Sequence, residues 1–116
     1  IMPKAARGDA TETVNTVHVA SGDADPTDGS FCDVAPITTS TNVCSGKVFA
    51  QGIGVVRQGD AVTAHPIGGT CSTHTPGLTI GSGKVFIETK GAGRKGDVYD
   101  CSAKITSGSS KVFFGG

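Results

Sequence analysis

The chain has 116 residues, about one domain's worth, with 10 basic and 10 acidic side chains and a formal net charge of zero. No basic stripe points to nucleic acid, and no apolar run is long enough to cross a bilayer as a helix. A single Leu against many Val, Ile and Thr, together with 18 scattered glycines, argues for short strands and frequent turns. No stretch carries apolar residues at helical spacing over three turns, so the expected class is all-β.

Pro3-Lys4-Ala5-Ala6-Arg7-Gly8-Asp9 opens the chain as a first Gly-Asp unit. Residues 10–18 follow, ending at Val17-His18. Residues 19–41 are polar and read as an inserted surface loop within a single 1–116 domain. Cys32 and Cys44 bracket its second half, and a Cys32–Cys44 disulfide is the simplest pairing among Cys32, Cys44 and Cys71.

Residues 45–60 read as the first full unit, with Val48, Phe49 and Ala50 extended, Gly52 and Gly54 turning the chain, and Val55-Val56-Arg57 returning. Residues 82–97 repeat it, with Gly91 and Gly93 near the bend. Lys47-Val48-Phe49, Lys84-Val85-Phe86 and Lys111-Val112-Phe113 are copies of one phrase, the signature of a small supersecondary unit used several times. The first two copies lead at equal offsets into Arg57-Gln58-Gly59-Asp60 and Arg94-Lys95-Gly96-Asp97. Gly-Asp at 8–9, 59–60 and 96–97 predicts turns whose Asp accepts backbone N–H groups. The Phe residues are expected as core anchors, and Arg57 and Arg94 as partners of carboxylates or strand-end carbonyls.

Val, Ile, Leu and Phe make up about a fifth of the chain, so the core is thin and help from a metal, a disulfide or a partner is expected. His18, His65 and His74 each lie between a Gly-Asp and the next Phe, and Cys101 follows Asp97. His74 precedes Phe86 by twelve residues, as Cys101 precedes Phe113. Equal offsets in a repeat place side chains at equivalent positions, and three imidazoles with one thiolate make a closed tetrahedral set suited to structural Zn2+. Cys71 with His65 and His74 is the alternative set, and hydrogen-bonding loop histidines are the bland one.

Repeated Val-Phe hairpins ending in Arg-x-Gly-Asp, with His and Cys between them, resemble the PAAR-repeat proteins over nearly the whole chain outside 19–41. Gly54-Val55-Val56-Arg57 and Gly91-Ala92-Gly93-Arg94 occupy the places of the naming Pro-Ala-Ala-Arg. The resemblance implies a small cone of pseudo-three-fold hairpins with a metal held near its point by His18, His65, His74 and Cys101. It also implies a non-enzymatic spike tip, one chain capping one trimeric β-helical spike protein, in a contractile phage tail or a type VI secretion system. Its contact with a target cell membrane would be in passing, and no nucleic acid is involved. The competing expectation is a disulfide-stabilised extracellular binding module using the insertion as its contact loop.

Overall fold

The computed structural model describes residues 2–16, 38–66 and 73–115. All regular structure among them is β: β1 (Thr13–Asn15), β2 (Thr38–Ser40), β3 (Phe49–Ala50), β4 (Ile53–Gly54), β5 (His65–Pro66), β6 (Thr73–His74), β7 (Phe86–Ile87), β8 (Lys90–Gly91) and β9 (Lys104–Ile105). β1 is central in a three-stranded sheet, antiparallel to β2 and β9, with Val14 opposite both Thr39 and Ile105. The pairs β3–β4, β5–β6 and β7–β8 each form a two-stranded antiparallel ladder. β2 falls inside the stretch expected to be loop. Thr38–Ser40 pairs residue for residue with β1, and Thr41 bridges to Val62.

The Lys-Val-Phe units are equivalent in detail. In β3–β4, Phe49 pairs with Gly54 and Val55 N–H donates to Val48 O; in β7–β8, Phe86 pairs with Gly91 and Ala92 N–H donates to Val85 O. The third copy finds its return strand at the other end of the chain. Lys4 bridges to Phe113, Ala5 N–H donates to Val112 O, and Phe114 N–H donates to Pro3 O. The opening segment is therefore the second half of the last unit.

The bends match the expectation at Gly52 and differ elsewhere. Gln51-Gly52 (φ 51° and 80°) and Glu88-Thr89 (φ 53° and 69°) are the turn residues, both left-handed as a two-residue type I′ hairpin requires. Gly54 and Gly91 sit in the return strands for another reason. A Cβ on Gly54 would lie 2.1 Å from Ser45 O, and one on Gly91 2.7 Å from Ser82 O, so a neighbouring backbone crosses where only hydrogen fits.

Three residues just before the three arginines close a ring of main-chain hydrogen bonds. Ala6 N–H donates to Gly93 O (3.0 Å), Gly93 N–H to Val56 O (2.7 Å) and Val56 N–H to Ala6 O (2.9 Å). A cycle through equivalent positions is what an approximate three-fold arrangement within one chain requires. A second cycle runs through side chains. Ser45, Ser82 and Ser109 each stand two residues before a repeated Lys, and each hydroxyl accepts from the N–H groups of that Lys and the following Val at 2.9–3.1 Å. Each then donates to the hairpin turn of the next unit: Ser45 to Glu88 Oε1, Ser82 to Gly115 O and Ser109 to Gln51 Oε1.

The apolar interior has two clusters. Ala5, Ala50, Val55, Ile87 and Ala92 gather beneath the hairpins, joined by Val85, Val112 and Phe114. Ala6, Val14, Val56, Val62, Leu78, Tyr99, Ala103 and Ile105 form the other, with Cys44 and Cys101 packed against it. The dipeptides Ala5-Ala6 and Val55-Val56 belong to both and join them. The repeated Phe residues are not core anchors: Phe49 is 57% exposed, Phe86 60% and Phe113 41%. Strand alternation explains the correction, because Ala50 and Ile87 turn inward from the same two-residue strands and leave the preceding Phe on the outer face.

Arg57 and Arg94 pair with carboxylates, as expected. Asp60 takes Arg57 through two bonds of 2.9 and 3.0 Å, and Asp97 takes Arg94 through two of 3.1 and 3.0 Å. Each Asp also accepts its arginine's backbone N–H at 2.9 Å. The Asp60 hydrogen bond is the largest influence on Arg57 and raises its pKa, while burial works the other way. The first Gly-Asp departs from the expected equivalence. Arg7 is held by Glu12, from both its Nε (2.6 Å) and its backbone N–H (3.2 Å). Asp9 instead takes the left-handed place of the turn glycines, φ 52° against 89° at Gly59 and 97° at Gly96. The missing residue between Arg7 and Gly8 shifts the register by one, so the carboxylate has to come from farther along the chain.

Candidate metal centre

β5 and β6 bring two histidines into register, with His65 directly opposite His74. Both strands are anchored from below: Val62 N–H donates to Pro76 O, and Ala61 bridges to Gly77. Cys101 comes from a tight turn at which Ser102 N–H donates to Tyr99 O, Tyr99 N–H donates to Ala103 O, and Ser102 is left-handed (φ 69°). Asp100 N–H donates to Gly77 O, which ties this turn to the strand following His74.

The ligand atoms of His65, His74 and Cys101 all lie within 4.8 Å of one another. Four-coordinate zinc with bonds of about 2.0–2.3 Å separates its ligand atoms by about 3.3–3.8 Å, so the three donors are close enough to share one ion. His65 Nε2 and His74 Nε2 face each other at 2.8 Å, and modest opening of this pair would admit a cation between them.

The tautomer of His65 is set by its neighbour. Its Nδ1 lies 2.8 Å from Thr63 O, which can only accept, so Nδ1 carries the proton and Nε2 presents a lone pair. A backbone carbonyl holding the far nitrogen is the usual support for a metal-bound imidazole. His65 is 1% exposed, so its ring is fixed by packing as well as by that bond. The donor set, two imidazoles and a thiol, suits Zn2+ and other borderline-soft cations.

Three of the four expected ligands are thus brought together. His18 lies outside the described residues, as do Cys71 of the alternative set and Cys32. The expected Cys32–Cys44 pairing reaches outside the described residues, among which Cys44 is a free thiol. Its Sγ occupies space that two glycines leave open, because a Cβ on Gly8 or Gly54 would come within 2.7 or 2.8 Å of it. Burial pushes the Cys44 thiol pKa up, and the negative charges of Asp9 and Asp60 add to the effect, so it stays protonated and is a poor ligand.

Tyr99, two residues before Cys101, was not singled out by the sequence. It is 1% exposed, and its hydroxyl is the one buried side-chain polar atom without a hydrogen-bond partner among the described residues. Burial raises its pKa well above the ordinary tyrosine value, with Asp60 and Cys101 adding to the shift, so the phenol stays neutral. A buried Tyr at this spacing carries no sequence signal beyond its being the only tyrosine of the chain. The serine cycle did carry one, since Ser45, Ser82 and Ser109 precede the repeated Lys at a constant offset. Compared with protein-family models and with curated proteins, the chain matches none.

Proposed function

We propose that the chain is a PAAR-like spike tip, a mechanical part that caps and sharpens a trimeric β-helical spike for piercing a cell envelope. The observation that carries this reading is the closed three-membered hydrogen-bond cycle through Ala6, Val56 and Gly93. One chain with three equivalent hairpins can meet a partner with true three-fold symmetry, using each hairpin once. At such a partner's end three strand edges stand unpaired and need covering. The structural ion of this reading is Zn2+, held by His65, His74 and Cys101 with His18 as the fourth ligand. Its contribution is a cross-link between the β5–β6 ladder and the Cys101 turn. The setting is a contractile phage tail or a type VI secretion apparatus, and the role is structural, not catalytic.

The test is elemental analysis of the purified chain together with co-purification on a trimeric β-helical spike. One zinc per chain and one chain per trimer are the expected stoichiometries. A metal-free monomer that ignores such a spike at micromolar concentration would overturn the reading.

A further inference from the structure

The basic side chains of the three units fall into two groups. Arg7, Arg57 and Arg94 are all engaged by carboxylates. Lys47, Lys84 and Lys111 are all exposed, and among the described residues none forms an ion pair. Each of these lysines stands two residues before one of the exposed Phe49, Phe86 and Phe113. Each Lys-Val-Phe is held by a serine that takes the Lys and Val N–H groups, so the three copies share one backbone geometry. A half-exposed Phe leaves on the order of 100 Å² of ring uncovered, so each of the three equivalent units offers a comparable apolar contact. Val43 and Ile80, each two residues before one of those serines, are exposed as well.

We infer that Phe49, Phe86 and Phe113 with Lys47, Lys84 and Lys111 form an aromatic–basic docking surface for a trimeric protein whose end presents three equivalent carboxylates. This rests on the spike-tip reading and specifies the chemistry of the partner's end. The three-fold repetition argues for a three-fold partner. Three unpaired lysines on this face argue against a second copy of this chain as its occupant, because like charges would be brought together. Glu88 is bonded to Ser45 and Arg57 and feels the charge of Lys47, but it forms no ion pair with any of the three lysines. Apolar contact from the rings would supply affinity, and the lysines would select the partner and set its rotational register.

The probes are two versions of one trimeric β-helical spike, differing only in a terminal ring of Glu or of Gln, and vesicles containing anionic lipid. Binding is measured at low and at about 0.5 M salt, where screening confines charge effects to a few ångströms. The Glu-ringed trimer should bind at least tenfold tighter at low salt, with the gap closing at high salt. Lys47→Glu/Lys84→Glu/Lys111→Glu should abolish that preference and bind a Lys-ringed trimer instead. Phe49→Ser/Phe86→Ser/Phe113→Ser should weaken binding to both original trimers. Unchanged metal content and melting temperature check that both variants fold, as the altered side chains are exposed. Equal binding of the Glu and Gln trimers would overturn this inference and leave the spike reading standing. Binding to neither trimer would overturn both, and binding to vesicles but not to trimers, or self-association through this face, would overturn the inference in favour of that occupant.

Discussion

His65 and His74 stand opposite each other on β5 and β6, Nε2 to Nε2 at 2.8 Å, while Thr63 O fixes the proton on the far nitrogen of His65. The pair is two residues per strand and could not hold itself together as an isolated hairpin. A shared ion would supply the missing cohesion, on the order of 10 kcal/mol by comparison with structural zinc sites. His65→Ala, His74→Ala and Cys101→Ser should each reduce the metal from one per chain to near none. Their melting temperatures should fall by more than about 10 °C, since each kcal/mol is worth about 4–8 °C in a domain of this size. Elemental analysis with thermal melts checks this, and the chelated parent should melt alongside the variants. A variant that keeps its ion removes that residue from the ligand set.

The serine cycle gives a second expectation. Ser45, Ser82 and Ser109 are buried, and each supplies the acceptor for two N–H groups and a donor to the next unit. Alanine at any of them should cost about 1–3 kcal/mol, the usual penalty for leaving buried donors unpaired. Denaturant titrations of the three variants should give similar losses. The larger test is coupling: Ser45→Ala and Glu88→Gln share a bond and should be non-additive, whereas Ser109→Ala and Glu88→Gln share none and should add.

Glu88 also makes a pH prediction. The Ser45 hydroxyl bond, then the charges of Arg57 and Lys47, hold its pKa below the ordinary glutamate value. A carboxylate with a depressed folded-state pKa contributes stability above its unfolded pKa and loses it as pH falls through the folded one. Glu88→Gln should therefore be less stable than the parent at neutral pH, with the deficit shrinking as pH drops below the ordinary glutamate range. A deficit independent of pH would show that shape, not charge, matters at this turn.

Composition made the β class readable and the repeated phrases the three units, and equal spacing from Phe86 and Phe113 singled out His74 and Cys101. What was hidden has identifiable causes. Phe49 and Phe86 read as core because hydrophobicity says nothing about which face of a two-residue strand is covered. Gly54 and Gly91 read as turn residues because a glycine needed for close approach looks like one needed for positive φ, whereas Glu88-Thr89 turns the chain without any glycine. Arg7-Gly8-Asp9 is visibly one residue shorter than Arg57-Gln58-Gly59-Asp60, but this register shift does not say that Glu12 replaces Asp9 as the partner of Arg7. The join of Lys4 to Phe113 was out of reach of any local pattern, as the two are at opposite ends of the chain.

That register shift separates the two acids near Arg7. Glu12 is 2% exposed, accepts Arg7 Nε and backbone N–H, and takes the Ser107 hydroxyl at 2.8 Å. Glu12→Ala leaves a guanidinium that is 82% covered without its carboxylate, from the 18% exposure of Arg7, and should cost about 3 kcal/mol or more. Asp9→Gly should be neutral or stabilising by up to about 1 kcal/mol, because glycine adopts φ 52° without steric cost. Chemical denaturation of both variants measures the contrast. If Asp9 were the true equivalent of Asp60 and Asp97, the order of the two effects would reverse.

The third hairpin is assembled from both ends of the described chain. Phe114 N–H donates to Pro3 O where Ala50 faces Ile53 and Ile87 faces Lys90 in the other two, and a Cβ on Gly115 would lie 3.5 Å from Met2 Sδ. This unit is closed by pairing between segments distant in sequence, so within residues 1–116 opening the chain at another of the equivalent turns should be tolerated, since each unit closes onto its neighbours through the same cycles. A circular permutant with residues 116 and 1 joined by a short Gly-Ser linker and opened between Glu88 and Thr89 should fold, bind one metal ion per chain and melt within about 10 °C of the parent. Opening there also relieves Thr89, a β-branched residue held at φ 69°. A permutant opened between Tyr99 and Asp100 would instead cut the Cys101 turn and should lose the ion. Equal metal retention by both permutants would show that the Cys101 turn does not position the site.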